Sequence, residues 1–523
     1  MDSFEERYGI VENEEVKKRH RSRRMFAIVN GSLKIAEPRV EYSHAVWFVQ
    51  QGWIKNHDDP VFYEIVRGNV DKDQNIYFYV GYDFDITEES EKLFFTYLSD
   101  LVRALEIKSS GIVSGGLVKA APGVQWLPQK TYGTVEEVLK YKIKKMIYLD
   151  YAAAAPLRTE VREAMKVAEE YFANPSSVHD AGKKAQELLE NSRENIKKII
   201  NAKIRDKVIF TSTGTESVNL AIKGVAFAHK EKGNHIITSK LEHKAVLETC
   251  KYLEKQGFSV TYLEVDNYGQ VDPAEVEKAI TPRTILISIM YANNEVGTIQ
   301  PLKEIAAVAR NKKVLFHTDA CQAGYLDLDL QKLGLDLLTL NSNKIYGPKG
   351  AGLLYIKEGI GLQPLIHGGG QEYGLRSGTE NVPAIVGFAK ALELAQQEKD
   401  TENKRLEELR DYFITEAQNK ISGTFVNGHA AKRLANNVHL SFEEIEAGTL
   451  LLHLNLQGIY ASAGSACTAN EITISHVLKT MKISEALAGG SIRFSLGKYT
   501  SREDIDKTVK VLIQVVSSLR KAF

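Results

Sequence analysis

Lys344 follows an apolar, strand-like run, Leu335–Leu340, and opens a polar, glycine-rich loop that continues Ile345-Tyr346-Gly347-Pro348-Lys349-Gly350. A primary amine at a strand end, among groups able to bind phosphate, can form a Schiff base with an aldehyde cofactor such as pyridoxal phosphate. Most lysines are instead solvated surface charges. The reading therefore depends on whether the other parts of such a site exist in the chain.

Several polar groups fall just after other apolar runs. Phe210 is followed by Thr211-Ser212-Thr213-Gly214-Thr215-Glu216 and a helical pattern. A hydroxyl-rich turn feeding a helix N-terminus suits phosphate, and it equally suits plain capping. Asp319 follows Val314–Thr318; a carboxylate there can keep a pyridine nitrogen protonated or cap a helix. His243 is placed to lie flat on a cofactor ring or to serve structure alone, and Asn293-Asn294-Glu295 adds hydrogen-bonding groups. Cys467 stands among small residues in Ser462-Ala463-Gly464-Ser465-Ala466-Cys467-Thr468, an accessible setting for a thiol. Free cysteines are otherwise mostly buried hydrophobes, as Cys250 and Cys321 are expected to be. Arg493, within Ser491-Ile492-Arg493-Phe494-Ser495, can grip a carboxylate bidentately.

The elements that must position these groups alternate between short apolar strands and amphipathic helices from Met146 onward. Lys207–Phe210, His235–Thr238, Val260–Leu263, Ile285–Met290, Val314–His317 and Leu335–Leu340 read as strands. Helical patterns such as Ala185–Ile200 and Glu216–Lys230 lie between them. That order predicts an α/β fold with a mostly parallel sheet, covered on both faces, whose ligands bind at the strand C-terminal ends. From about Pro383 the chain reads as more helical and ends in an amphipathic helix, Arg502–Leu519.

Before this module, residues 25–133 read as a small α+β domain. Val61–Val66 and Ile76–Tyr82 predict a hairpin around the turn-prone Gly68–Asn75. Leu93, Phe94, Tyr97, Leu98, Leu101, Val102 and Leu105 repeat as one helix face. Residues 134–146 read as a helix or linker, and residues 1–24 as a tail with a basic run, Lys17–Arg24. The small domain holds no catalytic constellation and no cysteine, so docking or regulation is its expected role.

The 523 residues exceed what one core usually serves, so several domains are expected. Sixty-seven basic side chains balance 67 acidic ones, which argues against a global affinity for nucleic acid or membrane. Three cysteines without ligand spacing exclude a disulfide framework and predict a reducing compartment and no metal site. No run approaches the ~18 consecutive apolar residues of a membrane span. The N-terminus lacks the apolar core of a secretory signal, so the cytoplasm is the expected location.

Taken together, the motifs from Ile147 to about Leu519 resemble the group I cysteine desulfurases, the nitrogen-fixation and iron–sulfur-cluster type of class V aminotransferases. They run Tyr148-Leu149-Asp150-Tyr151, Asn174-Pro175-Ser176-Ser177, Thr215-Glu216-Ser217-Val218-Asn219 and Glu242-His243-Lys244-Ala245-Val246. Asn293-Asn294-Glu295-Val296-Gly297, the Lys344–Gly350 loop, Arg376-Ser377-Gly378-Thr379, Gly464–Thr468 and Ser491–Gly497 complete the series. The resemblance implies the fold type I architecture of pyridoxal-phosphate transferases: a mostly parallel seven-stranded sheet plus a smaller C-terminal α+β subdomain. It implies that Lys344 is the Schiff-base lysine and moves the α-proton of L-cysteine. Asp319 would pair with the pyridine nitrogen, His243 stack on the ring, and Gln322 bond the phenolic oxygen. Gly214 and Thr215 would hold the phosphate, with Thr379 arriving from the neighbouring subunit of a homodimer. Asn294 would line cofactor and substrate, Arg493 would bind the substrate carboxylate, and Cys467 would take the sulfur as a persulfide. The sulfur would pass to iron–sulfur scaffold proteins or tRNA-thiolation enzymes.

The chain departs from that family where Asn341 and Asn343 replace the usual serine and histidine on the phosphate side. Ala152–Ala155 lacks the usual threonines, and Gly489 stands where a histidine is common. Two other readings follow: a selenocysteine lyase or related β-elimination enzyme, and a weakened scaffold whose N-terminal domain binds a partner.

Overall fold

The computed structural model describes residues 146–464 and 474–522, together with the backbone of six strands between residues 22 and 82. The chain divides into two units, Met1–Lys142 and Ile143–Phe523.

In the first unit β1 (Ser22–Val29), β2 (Ser32–Ile35), β3 (Tyr42–Val46), β4 (Gln50–Lys55), β5 (Pro60–Asp71) and β6 (Ile76–Tyr82) form one antiparallel sheet. Its order is β2-β1-β6-β5-β3, with β4 also paired to β5. The hairpin expected from the sequence is β5–β6, in register from Tyr63↔Tyr82 to Val70↔Ile76. Part of the run that reads as turn-prone, Gly68 to Val70, belongs to that ladder. Ser22-Arg23-Arg24, the end of the basic run, belong to β1. Residues 1–21, the apolar stripe Leu93–Leu105, the loop 111–133 and the linker up to residue 145 lie outside the described residues.

The second unit opens with β7 (Ile147–Tyr148). Its large sheet contains β8 (Lys207–Thr211), β9 (His235–Ser239), β10 (Ser259–Leu263), β11 (Thr284–Ser288), β12 (Leu315–Asp319), β13 (Leu337–Asn341) and β14 (Gly352–Ile356). The order is β10-β9-β11-β12-β13-β14-β8. Pairing is parallel from β10 through β13, and β14 runs antiparallel to both β13 and β8. Alternate side chains enter opposite layers, as the pleat requires. Val208, Phe210, Ile237, Ile287, Phe316, Leu338 and Leu340 pack in one core with helix residues Ile196, Ile305 and Phe388. Ile209, Ile236, Leu286, Leu337 and Leu354 pack in another with Val218, Val225, Val246 and Leu253. Apolar cover on both faces explains why these strands read as mainly hydrophobic runs.

A smaller sheet follows, from β15 (Thr424–Val426), β16 (Asn437–Phe442) and, after β17 (Ile459–Tyr460), β18 (Ser491–Ser495), in order β15-β16-β18. It shares a core with the second half of a 39-residue helix, Val382–Lys420, and with the C-terminal helix Arg502–Ala522. β7 pairs in parallel with β17, which ties the start of the unit to this subdomain. No helix among the described residues is long and apolar enough to cross a membrane.

Candidate active site

A cavity of about 200 Å³ opens beyond the C-terminal ends of the parallel strands, and His243, Asn294, Asp319, Gln322, Asn341, Lys344 and Arg493 all line it. Groups separated by up to 250 positions thus converge where a parallel sheet binds ligands.

Lys344 gets there through one turn. β13 ends at Asn341, and a 3₁₀ turn, Ser342–Lys344, redirects the chain. The ammonium donates to the carbonyl oxygens of Ala152 and Ala153 at 2.8 and 2.6 Å. That loop is pinned in turn. Ala152 N donates to Ser495 Oγ at 2.9 Å, Gln322 Nε2 donates to the Ala152 carbonyl at 3.0 Å, and Ala155 N donates to the Asn343 carbonyl at 2.9 Å. The Ala152–Ala155 run therefore serves the lysine through its backbone, which needs no particular side chain.

Asp319 is the last residue of β12, 8% exposed, and its carboxylate accepts the Cys321 amide at 3.0 Å. No helix starts there, so the capping alternative falls away. His243 precedes the helix Lys244–Glu254, and its Nδ1 accepts the Ala245 amide at 3.1 Å. An accepting Nδ1 places the ring proton on Nε2. Burial lowers the His243 pKa, partly opposed by Asp319, so the imidazole is neutral at pH 7. A neutral ring can stack on a flat aromatic ligand without competing for its charged partners.

The helix Gly214–Ala228 brings its N-terminus to the cavity with Gly214 and Thr215 on the lining. Thr213 Oγ1 accepts the Glu216 amide at 3.1 Å, and the Glu216 carboxylate reaches back to Ser212 N at 2.7 Å. Both readings of this turn hold together: it is a capped helix start whose first-turn amides face an anion site. Gly214 is required sterically, since a Cβ there would stand 2.5 Å from Cys321 Sγ. Cys321 itself lines the cavity and is not a core hydrophobe, whereas Cys250 is fully buried as expected. Burial, with the Asp319 charge, raises the Cys321 thiol well above its ordinary range and keeps it protonated.

Arg493 in β18 is 1% exposed, donates to the Asn294 carbonyl at 3.0 Å and pairs with Asp150 at 2.7 Å. The wall around Asn294 is stitched to the His243 turn. Asn293 Nδ2 donates to the Leu241 carbonyl at 3.0 Å, and its Oδ1 accepts the Glu295 and Val296 amides. Glu242 Oε1 accepts Ser239 Oγ at 2.8 Å and the Met290 amide at 2.9 Å, while Oε2 is buried without a partner. Neither Asn293 nor Glu242 touches the cavity, yet both hold residues that do.

Burial raises the Glu242 pKa from 4.5 to about 8. Between those values the native state holds a proton that the unfolded chain releases. This contribution to stability is complete below about pH 4.5 and is lost as pH rises through about 8. Glu242→Gln keeps an acceptor for Met290 N and is expected to flatten the fall of Tm across that window. Thermal melts at a series of pH values check it, and an unchanged slope would assign the titration to another group.

Other residues singled out by sequence lie elsewhere. Asn343 is off the cavity; its Oδ1 is buried without a partner. Thr379 is exposed, in a segment tied to the helix start by Arg376 and Glu216 at 2.9 Å. Cys467 falls in 465–473, outside the described residues.

The model of the class-V aminotransferases matches residues 147–508. The chain belongs to that family. The match lies wholly within the second unit. Among class-V relatives, a cysteine desulfurase IscS of Dictyoglomus turgidum is 52% identical over 380 residues, covering 72% of this chain and 96% of the relative. A cysteine desulfurase IscS of Methanosarcina thermophila is 50% identical over 378 residues, with 72% and 93% covered. Of solved structures, a NifS-like protein superposes with a TM-score of 0.67 at 40% identity, covering 71% of this chain and all of that one. SspA, solved in complex with cysteine, gives 0.60 at 39% identity over 68% of this chain and all of its own.

Proposed function

We infer that this chain is a pyridoxal-phosphate-dependent cysteine desulfurase that converts L-cysteine to L-alanine, holds the sulfur as a persulfide on Cys467, and passes it to an acceptor. The observation that carries the reading is the convergence of Lys344, Asp319 and His243 on one cavity in a chain whose relatives bear that name. The donor set suits the cofactor. A buried carboxylate faces the place for a pyridinium, a neutral imidazole offers its face, and a helix start whose glycine leaves no room for a methyl group offers amides to a phosphate. When bound, the cofactor supplies an electron sink for charge leaving the substrate's Cα.

The chain's own groups do the rest. Arg493 orients the substrate by its carboxylate, and Asn294 closes the wall beside it. Lys344, steered by two carbonyl oxygens, takes the proton from Cα and returns it. The Cys467 thiolate attacks the substrate sulfur: the C–S bond breaks, an S–S bond forms, and the carbon fragment leaves as alanine after protonation. Thr379, exposed in its own protomer, fits a donor that serves the neighbouring site of a homodimer. Iron–sulfur scaffold proteins and tRNA-thiolation enzymes are the fitting acceptors, and the cytoplasm the fitting compartment.

Purified protein supplied with pyridoxal phosphate and L-cysteine is expected to release alanine and to carry protein-bound persulfide. No alanine, with the cofactor's visible absorbance intact, would sink the reading. Faster turnover of selenocysteine than of cysteine would move the activity to a selenocysteine lyase.

A further inference from the structure

Arg493 carries a donor that no described residue uses. Nη1 is occupied by the Asn294 carbonyl and Nη2 by Asp150, but the buried Nε–H has no partner. A buried charged group rarely leaves a donor unmade, and this one belongs to a side chain on the cavity wall. A ligand in the cavity therefore meets a guanidinium already held by Asn294 and Asp150. Asp150 is held independently of the ligand: its backbone bridges to Ser495, and Tyr148 Oη donates to its carbonyl at 3.0 Å. Its backbone is thus fixed where the carboxylate meets the guanidinium at 2.7 Å.

We propose that Asp150 is a positioning residue that sets how tightly Arg493 holds the carboxylate of an amino-acid ligand. It fixes the guanidinium from one edge and offsets its charge, so an incoming carboxylate meets a partly neutralised cation and repulsion from Asp150 itself. Arg493 is thereby kept in place, and its grip on substrate and product stays moderate, which favours release. The proposal rests on the desulfurase reading only for the identity of the ligand, an α-amino acid.

Asp150→Asn keeps the shape and an acceptor for Nη2 but removes the charge. In the cofactor-loaded protein the KM for L-cysteine and the dissociation constant of propionate are expected to fall together, by about three- to tenfold at low salt and less at high salt. Cysteamine, which lacks the carboxylate, should bind with an unchanged dissociation constant. A purely structural role predicts the opposite, because a loosened Arg493 would raise both constants. Asp150→Ser, smaller and also uncharged, must move propionate binding in the same direction. A rise or no change in either variant, with the cofactor absorbance and circular dichroism intact, overturns the proposal. Propionate binding by calorimetry needs no turnover, so it tests Asp150 even if the protein releases no alanine from cysteine.

Discussion

Cys467→Ala is expected to keep the fold and the cofactor's visible absorbance while protein persulfide disappears and alanine release falls by about a thousandfold or more. The chain has three cysteines, and the other two are unsuited to the task. Cys250 is buried in a core helix and burial pushes its thiol up to about 12. Cys321 shares the cavity, but burial and Asp319 hold it as a thiol, and the thiol is a poor nucleophile. Cys467 lies between anchored flanks. On one side Ser462 exchanges backbone hydrogen bonds with Arg493 at 3.1 and 2.7 Å. On the other, Ser475 Oγ donates to Glu295, next to Asn294 on the wall. Gly464 packs at φ +81° where a Cβ would stand 2.9 Å from the same Glu295 carboxylate. One end of the Cys467 segment is thus tied to Arg493 and the other to the turn that carries Asn294. Mass spectrometry of protein incubated with cysteine checks the prediction. Persulfide that persisted in Cys467→Ala would transfer the role to Cys321.

The large sheet was legible because strands covered on both faces are mostly apolar, and β8 to β13 each carry at least two apolar residues in a row. β14, Gly352–Ile356, is equally apolar and was missed. It follows Gly350 so closely that no crossover helix fits, and it turns back antiparallel, against the β-α-β rhythm that marked its neighbours. The subdomain read as more helical because its strands are few; β16 also hides a buried polar residue, His439, that interrupts its pattern.

The site was legible to the extent that its groups follow strands directly, as Asp319 and Lys344 do. What stayed hidden acts through the backbone or across long sequence separations. The carbonyl acceptors of Ala152 and Ala153 carry no residue-type signal. Asp150 meets Arg493 across 343 positions, and nothing local to either residue announces the pair. Cys321 read as a core residue because free cysteines are mostly buried hydrophobes, yet the turn after β12 places it on the cavity wall. The two asparagines beside the lysine also part company. Asn341 ends β13 on the cavity, while the 3₁₀ turn carries Asn343 away from it, so the two substitutions have different reach within one protomer.

Lys344→Ala should remove the cofactor's visible band and lower alanine release by at least about 10⁴-fold, because the proposed mechanism asks one group for both attachment and proton transfer. The geometry makes a structural explanation of such a loss testable. The ammonium satisfies the Ala152 and Ala153 carbonyls, and Ala152 is also the acceptor for Gln322. Alanine would leave those oxygens facing the cavity, where water can reach them, at a cost of about 1 kcal/mol or less each. Lys344→Gln can still donate to one of them but can neither anchor the cofactor nor move a proton. The two variants should therefore differ in Tm by a few degrees at most and match in their loss of turnover. Glutamine restoring activity along with Tm would mean that the lysine matters as a brace for the Ala152–Ala155 loop, and the proton would need another carrier.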